Sequence, residues 1–213
     1  MKYCKNCIMP DTRPDQIFNK EGICNACVSF ENNKKSVDWD KRSKELEKII
    51  EEAKSKSDNW DCVIPSSGGK DSTYQAIWTK SKGLNPVLVT ATTCDLSEIG
   101  RKNLDNLKNS GFDTIEISNS PIVRAKLNKI CIDLIGDISW PEHVSIFTAP
   151  IKFALSYKVP LILYGENPQI EYGGPEKSLS NYNLDRKWME EFGGLIGLRV
   201  VANEPERFLR VAM

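Results

Sequence analysis

Between Val37 and Lys56 the chain is dense in charge, yet Leu46, Ile49, Ile50 and Ala53 recur at the i, i+3, i+4, i+7 spacing of one helical face. That stripe predicts a connecting helix that docks on a larger body. Beyond it, short runs rich in β-branched residues alternate with helical patterns, the order expected of a parallel sheet wrapped by helices. Cys62-Val63-Ile64 predicts the first strand, and a helix from about Ser72 to Lys82 follows, stopped by Gly83. Val87-Leu88-Val89-Thr90 predicts the second strand. A helix carrying Ile99, Leu104 and Leu107 stops at Gly111, and Thr114-Ile115-Glu116-Ile117 reads as the third strand. Pro121 opens a helix that buries Val123, Leu127, Ile130, Cys131 and Leu134. Another near Pro150 to Tyr157 leads into a fourth strand, Leu161-Ile162-Leu163-Tyr164. After Gly165 the regular signals fade, and the stretch from Arg199 to Met213 holds at most one short helix.

The pattern therefore predicts an α/β fold with a small module ahead of it. The expected divisions are a cysteine module over 1–35, the connecting helix over 36–58, the α/β domain over 59–198 and an irregular tail over 199–213. No repeat or low-complexity tract interrupts them. A chain of 213 residues can bury one such core but is short for two full domains.

Composition narrows the class further. No apolar run approaches the roughly 18 residues of a membrane-spanning helix, and Met1-Lys2-Tyr3-Cys4 begins no apolar signal region, so a cytoplasmic protein with no membrane association is expected. The 29 basic and 29 acidic residues cancel, which removes any global field that would gather a polyanion and argues against a large nucleic-acid footprint. Nothing in the sequence sets the oligomeric state; a homo-oligomer is compatible with it. In a reducing compartment the seven cysteines are read first as metal ligands or chemistry, and only then as disulfides.

Four of the seven form Cys4-x2-Cys7, a gap of 16 residues, then Cys24-x2-Cys27. Two such knuckles supply a tetrahedral set of thiolates for Zn²⁺ from local sequence alone, with Asn6, Gly22 and Asn25 suited to the tight turns. Four thiolates also suit an iron–sulfur cluster, and four incidental cysteines are the plain alternative. A closed Cys4 site leaves no open coordination position, so its role would be structural. Cys62, Cys94 and Cys131 are read as small buried hydrophobes.

After the first strand comes Pro65-Ser66-Ser67-Gly68-Gly69-Lys70-Asp71-Ser72-Thr73, directly followed by a helix. Two glycines let the backbone pass close to phosphate oxygens, and the helix start turns unpaired N–H groups and a partial positive charge toward the same anion. Ser66, Ser67, Ser72 and Thr73 add hydroxyls, Lys70 can neutralise phosphate charge, and Asp71 is expected to act through Mg²⁺. The string is neither G-x4-G-K-[ST] nor G-x-G-x-x-G. Ser67-Gly68-Gly69-Lys70-Asp71-Ser72 resembles the S-G-G-x-D-S PP-loop of the ATP pyrophosphatase superfamily. That resemblance implies ATP as a substrate, with the loop on the leaving pyrophosphate and AMP passed to a substrate oxygen. The adenosine is expected near Thr90 and Thr92, beside Gly165.

Later segments carry a narrower likeness. These are Glu98-Ile99-Gly100-Arg101-Lys102-Asn103-Leu104, Trp140-Pro141-Glu142-His143, Tyr164-Gly165-Glu166-Asn167-Pro168-Gln169 and Glu171-Tyr172-Gly173-Gly174. With the N-terminal cysteines they resemble the N-acetyl sugar amidotransferases of bacterial lipopolysaccharide and flagellin-sugar biosynthesis, from Cys4 to about Arg199. The resemblance implies adenylation of the acetamido oxygen of a surface-polysaccharide or flagellin sugar, followed by attack of ammonia from a glutaminase partner to give an acetamidino group. Lys70, Asp71 and Glu166 would be catalytic, and His143, Glu166, Asn167, Gln169, Glu171 and Tyr172 would meet the sugar. Read without the resemblance, His143 is as well explained as a hydrogen-bonded structural histidine, Glu171 as a turn cap and Tyr172 as packing. Members of that family continue beyond position 213, so a C-terminally shortened chain is expected. Two rival functions remain: a tRNA-thiolating PP-loop enzyme, and a non-catalytic zinc-bearing nucleotide-binding subunit.

Overall fold

The computed structural model, which describes residues 1–12, 16–93 and 95–165, follows the predicted alternation of strands and helices. In order they are α1 (Asn25–Ser36), α2 (Trp39–Lys56), β1 (Cys62–Pro65), α3 (Lys70–Ser81), β2 (Pro86–Thr92), α4 (Glu98–Asn109), β3 (Asp113–Ser118), α5 (Pro121–Ile135), α6 (Trp140–Tyr157) and β4 (Leu161–Ile162). Met1–Lys44 belongs to one compact unit and Glu45–Gly165 forms a second. Among the described residues, no helix is long and apolar enough to cross a membrane.

Among the described residues, four parallel strands form one sheet in the order β3-β2-β1-β4, with Val63 opposite Val87 on one side and Ile162 on the other. Because successive side chains of a strand point to opposite faces, β1 and β2 each feed two cores. Cys62, Ile64 and Leu88 face Ile50, Ala76, Leu104, Leu107 and Phe112 from α2, α3, α4 and the turn before β3. Val63, Val87 and Val89 face Phe153 and Ala154 of α6, with Val159 and Trp60. Strands buried on both faces read as unbroken apolar runs, as Cys62-Val63-Ile64 and Val87-Leu88-Val89 do. Each fully buried side chain such as Ile64 or Leu88 stabilises the fold by roughly 2 kcal/mol.

Several expectations change in detail. The helix after β1 starts at Lys70 and not near Ser72, so Lys70 and Asp71 lie within its first turn. Ile50 and Ala53 are buried as the stripe on α2 requires, whereas Ile49, at the stripe's edge, is 46% exposed. Ile99 is exposed, and so is Leu134, while Cys131 is buried as expected. Cys62 is buried too, and Cys94 lies outside the described residues.

The largest correction concerns α6, which begins at Trp140 and carries Pro150 inside it. An interior proline removes a hydrogen bond and crowds the preceding turn, at a cost of about 3 kcal/mol. Here Pro150 itself is fully buried, and Ala149, Phe153 and Ala154 beside it pack inward, which offsets that cost. Pro141, in the first turn, occupies the position where a missing N–H does no harm. The segment Trp140-Pro141-Glu142-His143 is therefore helical.

Candidate functional site

At the end of β1 the chain leaves the sheet through Ser66 and enters α3 at Lys70. Gly68 has φ 76, and a Cβ there would lie 3.1 Å from Leu104 Cδ2 and 3.3 Å from the Leu104 backbone nitrogen. Both the left-handed backbone and the close pass over α4 require glycine. Gly69 caps α3 in an extended conformation, with no side chain spent on the free N–H groups of the first turn. Local serines shape the loop: Gly68 N donates to Ser66 Oγ at 3.3 Å, Gly69 N to Ser67 Oγ at 3.3 Å, and Ser72 Oγ to the Gly69 carbonyl at 3.2 Å. Thr73 N closes the first turn onto the Gly69 carbonyl at 3.0 Å. Lys70 Nζ pairs with Asp71 Oδ1 at 2.7 Å, both side chains standing in solvent at 88% and 78% exposure. An exposed neighbour pair of this kind is worth almost nothing, so both charges are free to turn to a ligand.

The loop sits where the strand order reverses. β2 and β3 lie to one side of β1 and β4 to the other, and open parallel sheets hold ligands beyond their strand ends at such a point. Thr90 is buried at the end of β2, and Thr92 carries a buried hydroxyl with no partner. On the other side of β1, Leu163 N donates to the Val63 carbonyl at 2.9 Å, which carries Tyr164 and Gly165 out past the end of β4. Gln75, which no local sequence motif marks, donates from Nε2 to the Tyr164 carbonyl at 3.2 Å. Its only signal was the i+4 spacing from Asp71 on α3.

His143 belongs to the same edge. Asn119, just after β3, bonds Ser145 on α6, and Tyr164 Oη donates to the Phe147 carbonyl at 3.1 Å. The first turn of α6 therefore lies beyond the strand ends. There His143 Nδ1 and the indole nitrogen of Trp140 are buried without hydrogen-bond partners. Glu142 points instead to α5, accepting from Asn128 Nδ2 at 2.9 Å and 3.0 Å. Glu166, Asn167, Gln169, Glu171 and Tyr172 lie outside the described residues.

In the N-terminal unit the two cysteine pairs converge, their four sulfur atoms all within 4.8 Å of one another. Cys7 Sγ and Cys24 Sγ are 3.6 Å apart, close to the roughly 3.8 Å that a tetrahedral ion with about 2.3 Å metal–sulfur bonds imposes. Short antiparallel bridges, Tyr3 with Pro10 and Phe18 with Cys24, close the two turns, and Cys27 sits in the first turn of α1. Backbone N–H groups of Asn6 and Cys24 donate to Cys4 Sγ at 3.4 Å and 3.2 Å, and that of Cys27 to Cys24 Sγ at 3.4 Å. Ile8 takes φ 56, a costly backbone for a β-branched residue.

The electrostatics suit a cation. Burial opposes ionisation of the Cys4 thiol, but N–H groups of Cys7, Cys24 and Asn6 outweigh it and bring it down to about 6. At Cys27 a hydrogen bond with Asn6 favours the thiolate, yet burial and the Cys7 and Cys24 sulfurs together push it up to about 12. Burial also pushes Cys24 up. Thiolates this close repel one another, and only a positive ion among them lets all four ionise. The donor set and spacing fit one tetrahedral ion, whereas a polynuclear cluster, with metal and sulfide between its ligands, holds thiolates further apart.

No protein-family model matches the chain, and no curated protein matches it. Among solved structures it is similar to an NH3-dependent NAD synthetase from Campylobacter jejuni subsp. jejuni NCTC 11168 in complex with the nitrate ion. That likeness has a TM-score of 0.46 and 16% identity over 83% of this chain and 89% of that one. A likeness this distant carries no argument about activity.

Proposed function

We propose that this chain is an ATP-dependent, AMP-forming amidotransferase of the PP-loop type, acting in the cytoplasm on an N-acetyl sugar of bacterial surface polysaccharide or flagellin. The observation that carries the nucleotide half is the loop Ser66–Thr73 itself: a left-handed Gly68, uncapped N–H groups at the start of α3, and two exposed charges, all at the switch point of a parallel sheet. The sugar half rests on the resemblance of the Trp140–His143 and Tyr164–Tyr172 segments. In this reading the acetamido oxygen attacks the α-phosphorus of ATP, the bond to the bridging oxygen breaks, and pyrophosphate leaves along the loop. Ammonia, delivered by a glutaminase partner, adds to the activated carbon, and AMP departs with the former amide oxygen, leaving an acetamidino group. An amide oxygen is a poor leaving group, and its phosphorylation removes that obstacle; the rest is positioning and charge stabilisation.

Within this scheme Lys70 neutralises the pyrophosphate, Asp71 holds Mg²⁺, Thr90 and Thr92 border the adenosine beside Gly165, and His143, Glu166, Asn167, Gln169, Glu171 and Tyr172 meet the sugar. Zn²⁺ on Cys4, Cys7, Cys24 and Cys27 is structural, since four protein ligands leave it no open position. The test supplies the protein with Mg-ATP, ammonium and acetamido sugars and identifies the products. AMP and pyrophosphate formed only with the sugar support the reading. Formation of ADP, or sulfur transfer to tRNA, contradicts it.

A further inference from the structure

We infer that Gln75 is a positioning residue that makes the chain leaving β4 answer to nucleotide at the glycine-rich loop; the inference rests on the reading of that loop as the ATP site. Gln75 lies on α3, whose first turn is the loop's own end, and its Nε2 donates at 3.2 Å to the Tyr164 carbonyl, 89 residues away in sequence. A carbonyl partner fixes which end of the amide is which. The other end, Oε1, is buried with no partner, and a Cβ on Gly165 would stand 3.8 Å from it. One side chain of α3 therefore holds the residues that follow β4 while keeping an acceptor free beside Gly165.

Tyr164 is held from the opposite side by a different helix. Its hydroxyl donates to the Phe147 carbonyl of α6 at 3.1 Å, and its ring lies 5.9 Å from that of Phe147. The segment after β4 thus has two anchors of unlike meaning. The one on α6 belongs to a helix far from the loop along the chain, whereas the one on α3 lies six residues after Gly69 on the helix that the loop itself begins. A shift of the first turn of α3 on phosphate binding is passed by Gln75 to Tyr164 and Gly165, which directly precede Glu166, one of the residues proposed to meet the sugar. An amide is suited to this: it bonds the backbone without adding charge next to phosphates, and its unused acceptor can take an N–H of the segment as it settles.

The experiment is hydrogen exchange of backbone amides in the whole chain, with and without Mg-ATP, for the wild type, Gln75→Met and Tyr164→Phe, alongside calorimetric measurement of ATP binding. In the wild type, ATP is expected to slow exchange both at Ser66–Thr73 and at Leu163–Gly165. Gln75→Met should keep ATP affinity within about threefold and the loop's protection, but lose the ATP-linked part at Leu163–Gly165, about fivefold for one neutral hydrogen bond. Tyr164→Phe should exchange faster there with or without ATP and yet keep the ATP-linked change. Should Gln75→Met not fold, Gln75→Leu, which removes the donor without adding charge, takes its place with the same expectation. ATP binding without protection at Leu163–Gly165, or protection that survives in the Gln75 variant, overturns the inference and leaves the nucleotide site standing. Absence of ATP binding by the wild type overturns the proposed function, and the inference with it.

Discussion

Gly68 passes so close over Leu104 that a single added carbon would lie 3.1 Å from both Cγ and Cδ2 of the leucine. The glycine-rich loop and the middle of α4 are therefore one packed object, and the loop cannot be altered at this point without moving a helix. Gly68→Ala should destabilise the protein by about 2 kcal/mol, combining left-handed strain with the clash, and should weaken ATP binding at least tenfold. Urea unfolding and calorimetric titration read the two effects; a midpoint equal to that of the wild type would show that neither constraint is real.

In the proposed function Asp71 serves the metal ion and not the nucleotide, which separates two measurable quantities. Asp71→Asn keeps the size of the side chain and frees Lys70 from its 2.7 Å partner. Its ATP affinity should change by no more than about threefold, while Mg²⁺-dependent turnover drops about a hundredfold or more. Equal losses in binding and turnover would place the carboxylate elsewhere.

The cysteine cluster predicts one zinc per chain, and metal analysis finding iron with sulfide, or a folded protein with no metal, would falsify it. Cys24→Ser removes a fully buried ligand, so zinc content should fall and proteolysis within Met1–Lys44 should accelerate. Because the four ligands are local in sequence, ATP binding at Ser66–Thr73 should survive the change.

Glu116 on β3 accepts from Arg101 at 2.8 Å and 2.9 Å and from Lys108 at 2.9 Å, tying α4 to the sheet. Arg101 first and Lys108 second outweigh burial and hold the carboxyl down to about 2. A depressed pKa means that the stabilisation is complete above the unfolded value, roughly 4.3, and is lost as pH falls from there to about 2. Arg101 and Lys108 are 38% and 42% exposed, so solvent screening reduces the contribution to about 1 kcal/mol. Glu116→Gln should lower stability at pH 7 by about that amount and converge on the wild type near pH 2. Urea midpoints measured across this range check it, and parallel curves would rule out Glu116 as the titrating group.

Much of this architecture was legible from local pattern. The unbroken apolar runs at Cys62–Ile64 and Val87–Val89, the glycines at 83 and 111 that end α3 and α4, and the proline that opens α5 each act within a few residues of themselves. So do the two cysteine pairs and the loop from Ser66 to Thr73, since a knuckle or an anion-binding turn is built from consecutive backbone atoms. The sequence by itself therefore determined the parallel α/β class, the place of the loop and the identity of the four clustered cysteines. Tertiary structure alone decided what depends on distant partners. Pro150 lies inside a helix because a buried face outweighs its local penalty, and Ile49 and Ile99 are exposed although their spacing matches the apolar stripes of their helices. Gly68 needs Leu104, and Gln75 reaches Tyr164 across 89 residues. Periodicity and propensity describe what a segment can do alone, whereas packing and cross-chain hydrogen bonds exist only once the sheet has brought those segments together.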